Sequence, residues 1–176
     1  MTRRYSLFLS LIIIFFEHSV QARTQTTLDY ESRIHPEIAD DFMVVSQNKH
    51  ATEAGYEILK KGGNAIDASV AVGFALAVTL PRAGNLGGGG FILIYDKDKD
   101  EVSSIDYRSA APKSATSDLF LNGDQVVRFG HLVNAVPGSV AGLLKAHEDY
   151  GTLPLSELLK PAIRLAKDGF EVTYDL

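Results

Sequence analysis

AIDASVAVGFALAVTLPRAGNLGGGGFILI, residues Ala65 to Ile94, decides how this chain is read. Ala65 to Val78 is apolar nearly all round, and a helix of that kind is covered on most sides. It is too short to cross a bilayer, and it carries Asp67. Its Ala and Gly residues allow close packing against a sheet. Asn64 stands before it, where its side chain can accept from a first-turn amide, and Asp67 suits the positive end of the helix. Pro81 ends the helix. Gly87 to Gly90 then lead directly into the β-prone run Phe91 to Tyr95. A phosphate-binding loop has the opposite order, following a strand and opening a helix, because the helix N-terminus holds the anion. There is no Gly-Lys-Ser/Thr ending and no Gly-x-Gly-x-x-Gly spacing. The order argues against nucleotide binding. It leaves a side-chain-free crossing against nearby backbone, positive φ at several positions, or a ligand loop of another kind.

Working outward, Ala51, Ala54, Ile58 and Leu59 recur at helical spacing. Lys60 and Lys61 suit the negative end of that helix, and Gly62 is a left-handed terminator. Phe42 to Ser46 (FMVVS) reads as a first strand, and Arg23 to Asp41 as an extended leader. Beyond the glycines, Phe91–Tyr95 and Val102–Arg108 form a hairpin joined by DKDKDE. The joining run resembles a calcium loop, but Glu101 replaces the required glycine and Tyr107 the required glutamate, so a solvated turn is read instead. A helix runs from Pro137 and Gly138 towards Tyr150, with Val140, Leu143, Leu144 and His147 on one face. Another covers about Leu155 to Lys167, with Gly169 after it. Pro161 either kinks that helix or marks its true start.

The chain of 176 residues is 45% hydrophobic and 22% charged, with net charge −5, the composition of one ordinary globular domain. No basic cluster offers a nucleic-acid face. The absence of cysteine excludes disulfides, zinc thiolates and a cysteine nucleophile. Residues 1–22 differ in character: Arg3 and Arg4, an apolar run from Tyr5 to Phe16, and Val20-Gln21-Ala22 read as a signal peptide cleaved after Ala22, the alternative being an uncleaved anchor. Losing Arg3, Arg4 and Glu17 moves the net charge from −5 to −6. The expected product is exported, to the periplasm or beyond, with no membrane association after cleavage.

The block from Gly62 to Ile94, DYRSAAPKSAT (Asp106 to Thr116), VPGSVAG (Val136 to Gly142) and YGTLPLSELLKPAIRLAKDGF (Tyr150 to Phe170) occur in that order. Together they resemble the N-terminal region of γ-glutamyltransferases, or glutathione hydrolases. The resemblance runs from about Asp41 to the end. It implies an α+β fold, the αββα sandwich of the N-terminal-nucleophile hydrolases, present only as an N-terminal fragment, residues 42–176, of the large subunit. It implies an exported enzyme with no cofactor and no metal. Glutathione and other γ-glutamyl compounds would be its substrates, and the remainder of the large subunit and the small subunit its partners. The precursor of such an enzyme cuts itself, and the new N-terminal threonine carries the γ-glutamyl group to water or to an acceptor amino acid or peptide. On that pattern the cleavage site and the threonine lie downstream of Leu176, so no catalytic residue is expected in this chain. Thr24, Thr26 and Thr27 do not replace it, because cleavage after Ala22 exposes Arg23. Ser139 misses the Gly-x-Ser-x-Gly elbow by one position and reads as part of a helix start. The histidines at 18, 35, 50, 131 and 147 show neither metal nor triad spacing, and His147 reads as a packed, hydrogen-bonded residue.

One binding residue follows from the resemblance. The arginine of the family's Asp-Phe/Tyr-Arg block binds the α-carboxylate of the γ-glutamyl group, and here the block is Asp106-Tyr107-Arg108. A guanidinium suits that task through two parallel hydrogen bonds. On a strand, Asp106 and Arg108 share one face, so Asp106 can hold the guanidinium. A surface ion pair at a strand end is the plainer alternative. Many relatives follow the arginine with glutamate, where this chain has Ser109. A rival reading of the whole is a non-catalytic exported binding or interaction protein from a truncated paralogue. Another is a pseudogene product that does not fold.

Overall fold

A computed structural model describes residues 38–116, 133–174 and 176. The expected signal peptide, most of the leader, and His18, His35 and His131 lie outside those residues, as do Thr24, Thr26 and Thr27. Helix α1, Lys49–Lys60, starts two residues earlier than its apolar spacing indicates, because the Asn48 side chain caps it and accepts from the amides of His50 (2.9 Å) and Ala51 (3.3 Å). It ends as expected at Gly62, whose φ is +87°. The Gly62 amide donates to the Leu59 carbonyl (2.9 Å) and that of Gly63 to Ile58 (3.1 Å), the paired bonds of a Schellman end.

Helix α2, Ala65–Thr79, is the centre of the fold and packs against α1 and two later helices. Only Ala65 and Ser69 along it are exposed, so the expectation of burial on most sides holds. Asn64 and Asp67 form a reciprocal capping box: the Asn64 side chain accepts from the amides of Ile66 and Asp67, both at 2.9 Å, and Asp67 accepts from the Asn64 amide at 3.0 Å. Strands β1, Phe91–Asp96, and β2, Glu101–Asp106, make an antiparallel hairpin in which Phe91 pairs with Asp106 and Asp96 with Glu101. Its inner side chains, Ile92, Ile94 and Ile105, join the core. Phe91, Leu93, Tyr95 and Val102 on the outer face are 61–79% exposed, although they are as apolar as the inner row.

Helix α3, Ser139–Tyr150, and helix α4, Leu155–Asp168, complete the described elements. The buried line of α3 is Gly142, Leu143 and Ala146; of the expected face Leu143 is buried and His147 half-buried, while Val140 and Leu144 are exposed. Gly142 belongs to that line because the Tyr107 side chain packs against it. Helix α4 continues unbroken across Pro161, whose ring is fully buried, and Gly169 ends it at φ +81°. The helix gives up the bond from residue 161 and retains its packing. Phe42–Ser46 belongs to no helix, with Phe42 and Val44 half-buried and Val45 exposed, and it pairs with no strand among the described residues. A strand is defined by its ladder, and the alternation of apolar residues carries no information about a partner. The principal core gathers Ile58, Val70, Ala71, Leu143, Ala146 and Leu158.

Candidate functional site

Asp106, Tyr107 and Arg108 lie where the hairpin runs back beneath α3. The formal strand stops at Asp106, but one more pair continues the ladder: the Tyr107 amide donates to the Gly90 carbonyl (3.0 Å) and the Gly90 amide to Tyr107 (3.4 Å). The pairing with β1 stops there, and Asp106 and Arg108 are both exposed on either side of the half-buried Tyr107. Asp106 does contact Arg108, but through the main chain, its Oδ1 accepting from the Arg108 amide at 2.9 Å. Among the described residues no ion pair joins the two side chains. The Arg108 side chain is exposed, free to meet a solute.

The four glycines are explained by space. None of them has positive φ. A Cβ on Gly89 would lie 2.5 Å from the Tyr107 carbonyl oxygen and 2.8 Å from the Arg108 carbonyl carbon, so the segment carrying Arg108 crosses directly over it. A Cβ on Gly90 would lie 2.7 Å from the Tyr107 hydroxyl and 2.8 Å from Cζ. From the other side, a Cβ on Gly138 would overlap the Tyr107 carbonyl, and one on Gly142 would overlap the base of the Tyr107 ring. The glycine run and α3 are also joined to each other. The Gly88 carbonyl accepts from the amides of Gly138 (2.8 Å) and Ser139 (3.0 Å), and Ser139 Oγ donates to the Asn85 carbonyl (3.0 Å). Ser139 is therefore a helix-start residue tied to backbone. Beyond Arg108 the chain is held again, by an antiparallel pair of bonds between Ala110 and Val136 at 2.8 and 3.1 Å.

A cavity of about 160 Å³ lies beside this crossing, lined by Leu76, Gly84, Gly88, Gly89, Tyr107 and Leu143 among others. It contains no charged side chain, and Tyr107 is its one titratable group. Burial pushes the Tyr107 hydroxyl above its usual range, so the phenol stays neutral. Arg108 does not line this cavity. No cluster of three potential metal ligands occurs among the described residues. His147 is packed as expected, its Nε2 2.7 Å from the Leu153 carbonyl.

Sequence reasoning missed two features. One is the part played by Gly138 and Gly142, one helical turn apart, whose spacing signals close approach to something on that face. The other is the reach of Asp67. Beyond its capping role, this fully buried carboxylate accepts from the Thr152 hydroxyl (2.5 Å), the Thr152 amide (3.0 Å) and the Leu153 amide (3.3 Å). Burial works to raise its pKa. The hydrogen bonds from Thr152, Asn64 and Leu153 outweigh it and hold the carboxyl below the ordinary aspartate value.

Comparison with known proteins agrees with this arrangement. The sequence profile of the family described as Gamma-glutamyltranspeptidase matches residues 51–176. The glutathione hydrolase proenzyme of Escherichia coli K12 is 50% identical over 147 residues, which is 81% of this chain and 25% of that protein. The crystal structure of Helicobacter pylori gamma-glutamyltranspeptidase superposes with a TM-score of 0.75 at 42% identity, over 80% of this chain and 42% of that one. Cephalosporin acylase from Bacillus halodurans superposes at 0.68 with 30% identity, over 84% of this chain and 29% of that one. The chain thus spans about a quarter of the length of the curated relative it matches. Its mixed helix-and-strand fold is that of the N-terminal-nucleophile hydrolases. By profile, sequence and fold together, the chain belongs to the gamma-glutamyltranspeptidase family.

Proposed function

We propose that this chain is part of the large subunit of an exported γ-glutamyltransferase, or glutathione hydrolase. In it Arg108 receives the α-carboxylate of the γ-glutamyl group. The observation that carries the reading is the exposed guanidinium on a backbone fixed from both sides, by Gly89 and Asp106 before it and by the Ala110–Val136 pair after it. A flexible, charged side chain on a rigid base suits a ligand that has to be presented in one orientation to a nucleophile elsewhere. The relatives, a glutathione hydrolase and a gamma-glutamyltranspeptidase, support this substrate class.

The reaction is acyl transfer through a threonine ester, to water or to an amine. The threonine comes from outside this chain, from the small subunit that the proenzyme releases by self-cleavage. Residues 1–22 direct export and are removed after Ala22. Within this chain the contribution is binding and orientation, and no metal or cofactor takes part.

The test is Arg108→Lys in the full-length gene product. Lysine retains the charge and loses the planar fork, so kcat/KM for glutathione falls by about 2–4 kcal/mol of transition-state binding, roughly 30- to 1000-fold. Kinetic constants equal to those of the parent would remove Arg108 from the site.

A further inference from the structure

We propose that Tyr107 is a positioning residue for Arg108, held in a socket of four glycines that fixes where the guanidinium can reach. The proposal rests on the reading of Arg108 as the carboxylate-binding group, and the experiment below separates the two.

Gly89 and Gly90 approach Tyr107 and its successor from the hairpin side, and Gly138 and Gly142 approach from the helix side. All four have ordinary negative φ, so no turn or left-handed conformation calls for glycine at these places. What they share is a missing Cβ facing one dipeptide. Gly138 and Gly142 leave room for the Tyr107 carbonyl and the base of its ring, Gly90 for the outer edge of the ring, and Gly89 for the peptide between Arg108 and Ser109. Because Gly88 accepts the first two amide bonds of α3, the two sides of the socket cannot move apart independently. The ring therefore acts as a peg. With it seated, the Arg108 amide is held on Asp106 and the following peptide lies over Gly89, so the freedom left to Arg108 is in its own side chain. Bidentate carboxylate binding depends on the direction of the fork as well as its distance, so the origin of the side chain matters.

A purely structural role for the socket would alter the amount of folded enzyme. A positioning role alters selectivity, which does not depend on that amount. The probes are a γ-glutamyl anilide and the 4-aminobutyryl anilide, which lacks only the α-carboxylate, and the quantity read is the ratio of their kcat/KM values in the full-length gene product. Gly90→Ala places a methyl group against the far end of the Tyr107 ring, and Tyr107→Leu removes the peg. Each lowers the ratio about tenfold or more, as expected of a displaced binding group. The combined Gly90→Ala/Tyr107→Leu variant is no worse than Tyr107→Leu alone, because the added methyl no longer meets a ring. Arg108→Lys lowers the ratio as well. If Arg108→Lys lowers it while either Gly90→Ala or Tyr107→Leu leaves it unchanged, the positioning role is wrong and the Arg108 reading stands. If the two changes add in the double variant, the socket is wrong. If Arg108→Lys leaves the ratio unchanged, the Arg108 reading fails and the positioning role fails with it.

Discussion

Asp67 carries a charge into the interior, and the fold supplies donors from two distant places to keep it there. Asparagine at that position retains one acceptor but turns an amide NH2 towards donors. Asp67→Asn is expected to cost about 1.5–3 kcal/mol, read as a fall in the thermal midpoint of the full-length protein at pH 7. The sign of the pH dependence follows from the lowered folded-state pKa. The stabilisation is complete above the ordinary aspartate value of about 3.9 and is lost as pH falls through the lowered value in the folded state. The parent should therefore lose midpoint more steeply than the Asn variant below about pH 4, and parallel curves would refute the assignment. The cap was legible because Asn64 and Asp67 are neighbours in sequence. The clamp on Thr152 was not, because nothing at position 67 points to a partner 85 residues later. Arg108 is a candidate through resemblance alone, since an isolated arginine after a strand has no pattern of its own. Asp106 meets Arg108 through the main-chain amide, a contact that the period-two rule of a strand does not describe.

Two glycines show how the helices were read and where the reading stopped. At Gly62 the φ of +87° is the whole requirement, since a Cβ there would meet nothing within 4 Å. The terminator was visible in the sequence because lysines precede it and the apolar spacing stops. At Gly55 the backbone is helical and the requirement is space: a Cβ would lie 2.6 Å from Val72 Cγ2 and 2.9 Å from Val44 Cγ1. Gly62→Ala is expected to destabilise by about 1 kcal/mol through backbone strain alone. Gly55→Ala costs about 1–3 kcal/mol by forcing α1 away from α2 and the Val44 strip. Adding Val72→Ala makes room for the new methyl and should recover part of the Gly55→Ala loss, while leaving the Gly62→Ala loss unrelieved. Thermal midpoints of the four variants decide this, and relief of Gly62→Ala by Val72→Ala would refute the distinction. The same blindness to packing partners explains why Val140 and Leu144 stand exposed on α3 and why Phe42–Ser46 pairs with no strand among the described residues. Periodicity shows which residues are apolar, and it does not show which neighbour comes closest.

The order of helix, glycine run and hairpin was legible throughout, because each boundary has a local chemical cause. The outer face of the hairpin is apolar and largely exposed among the described residues. Residues 23–176 in isolation are expected to release no chromophore from a γ-glutamyl anilide, since they offer no N-terminal threonine, serine or cysteine with its own amine as base. They should also self-associate through the face bearing Phe91, Leu93 and Tyr95. Turnover that survives purification and disappears in an Arg108→Ala variant would overturn the first expectation, and a stable monomer by sedimentation the second. The Asp67 clamp has a further consequence, for the timing of motions. The Thr152 and Leu153 amides lie in the joint between α3 and α4, where frequent local opening would ordinarily let solvent deuterium in. Because both are bound to a carboxylate on the central helix, they can be released only when α2 separates from that joint. Their hydrogen exchange should therefore be as slow as that of the α2 interior, making a surface connection a reporter of global unfolding.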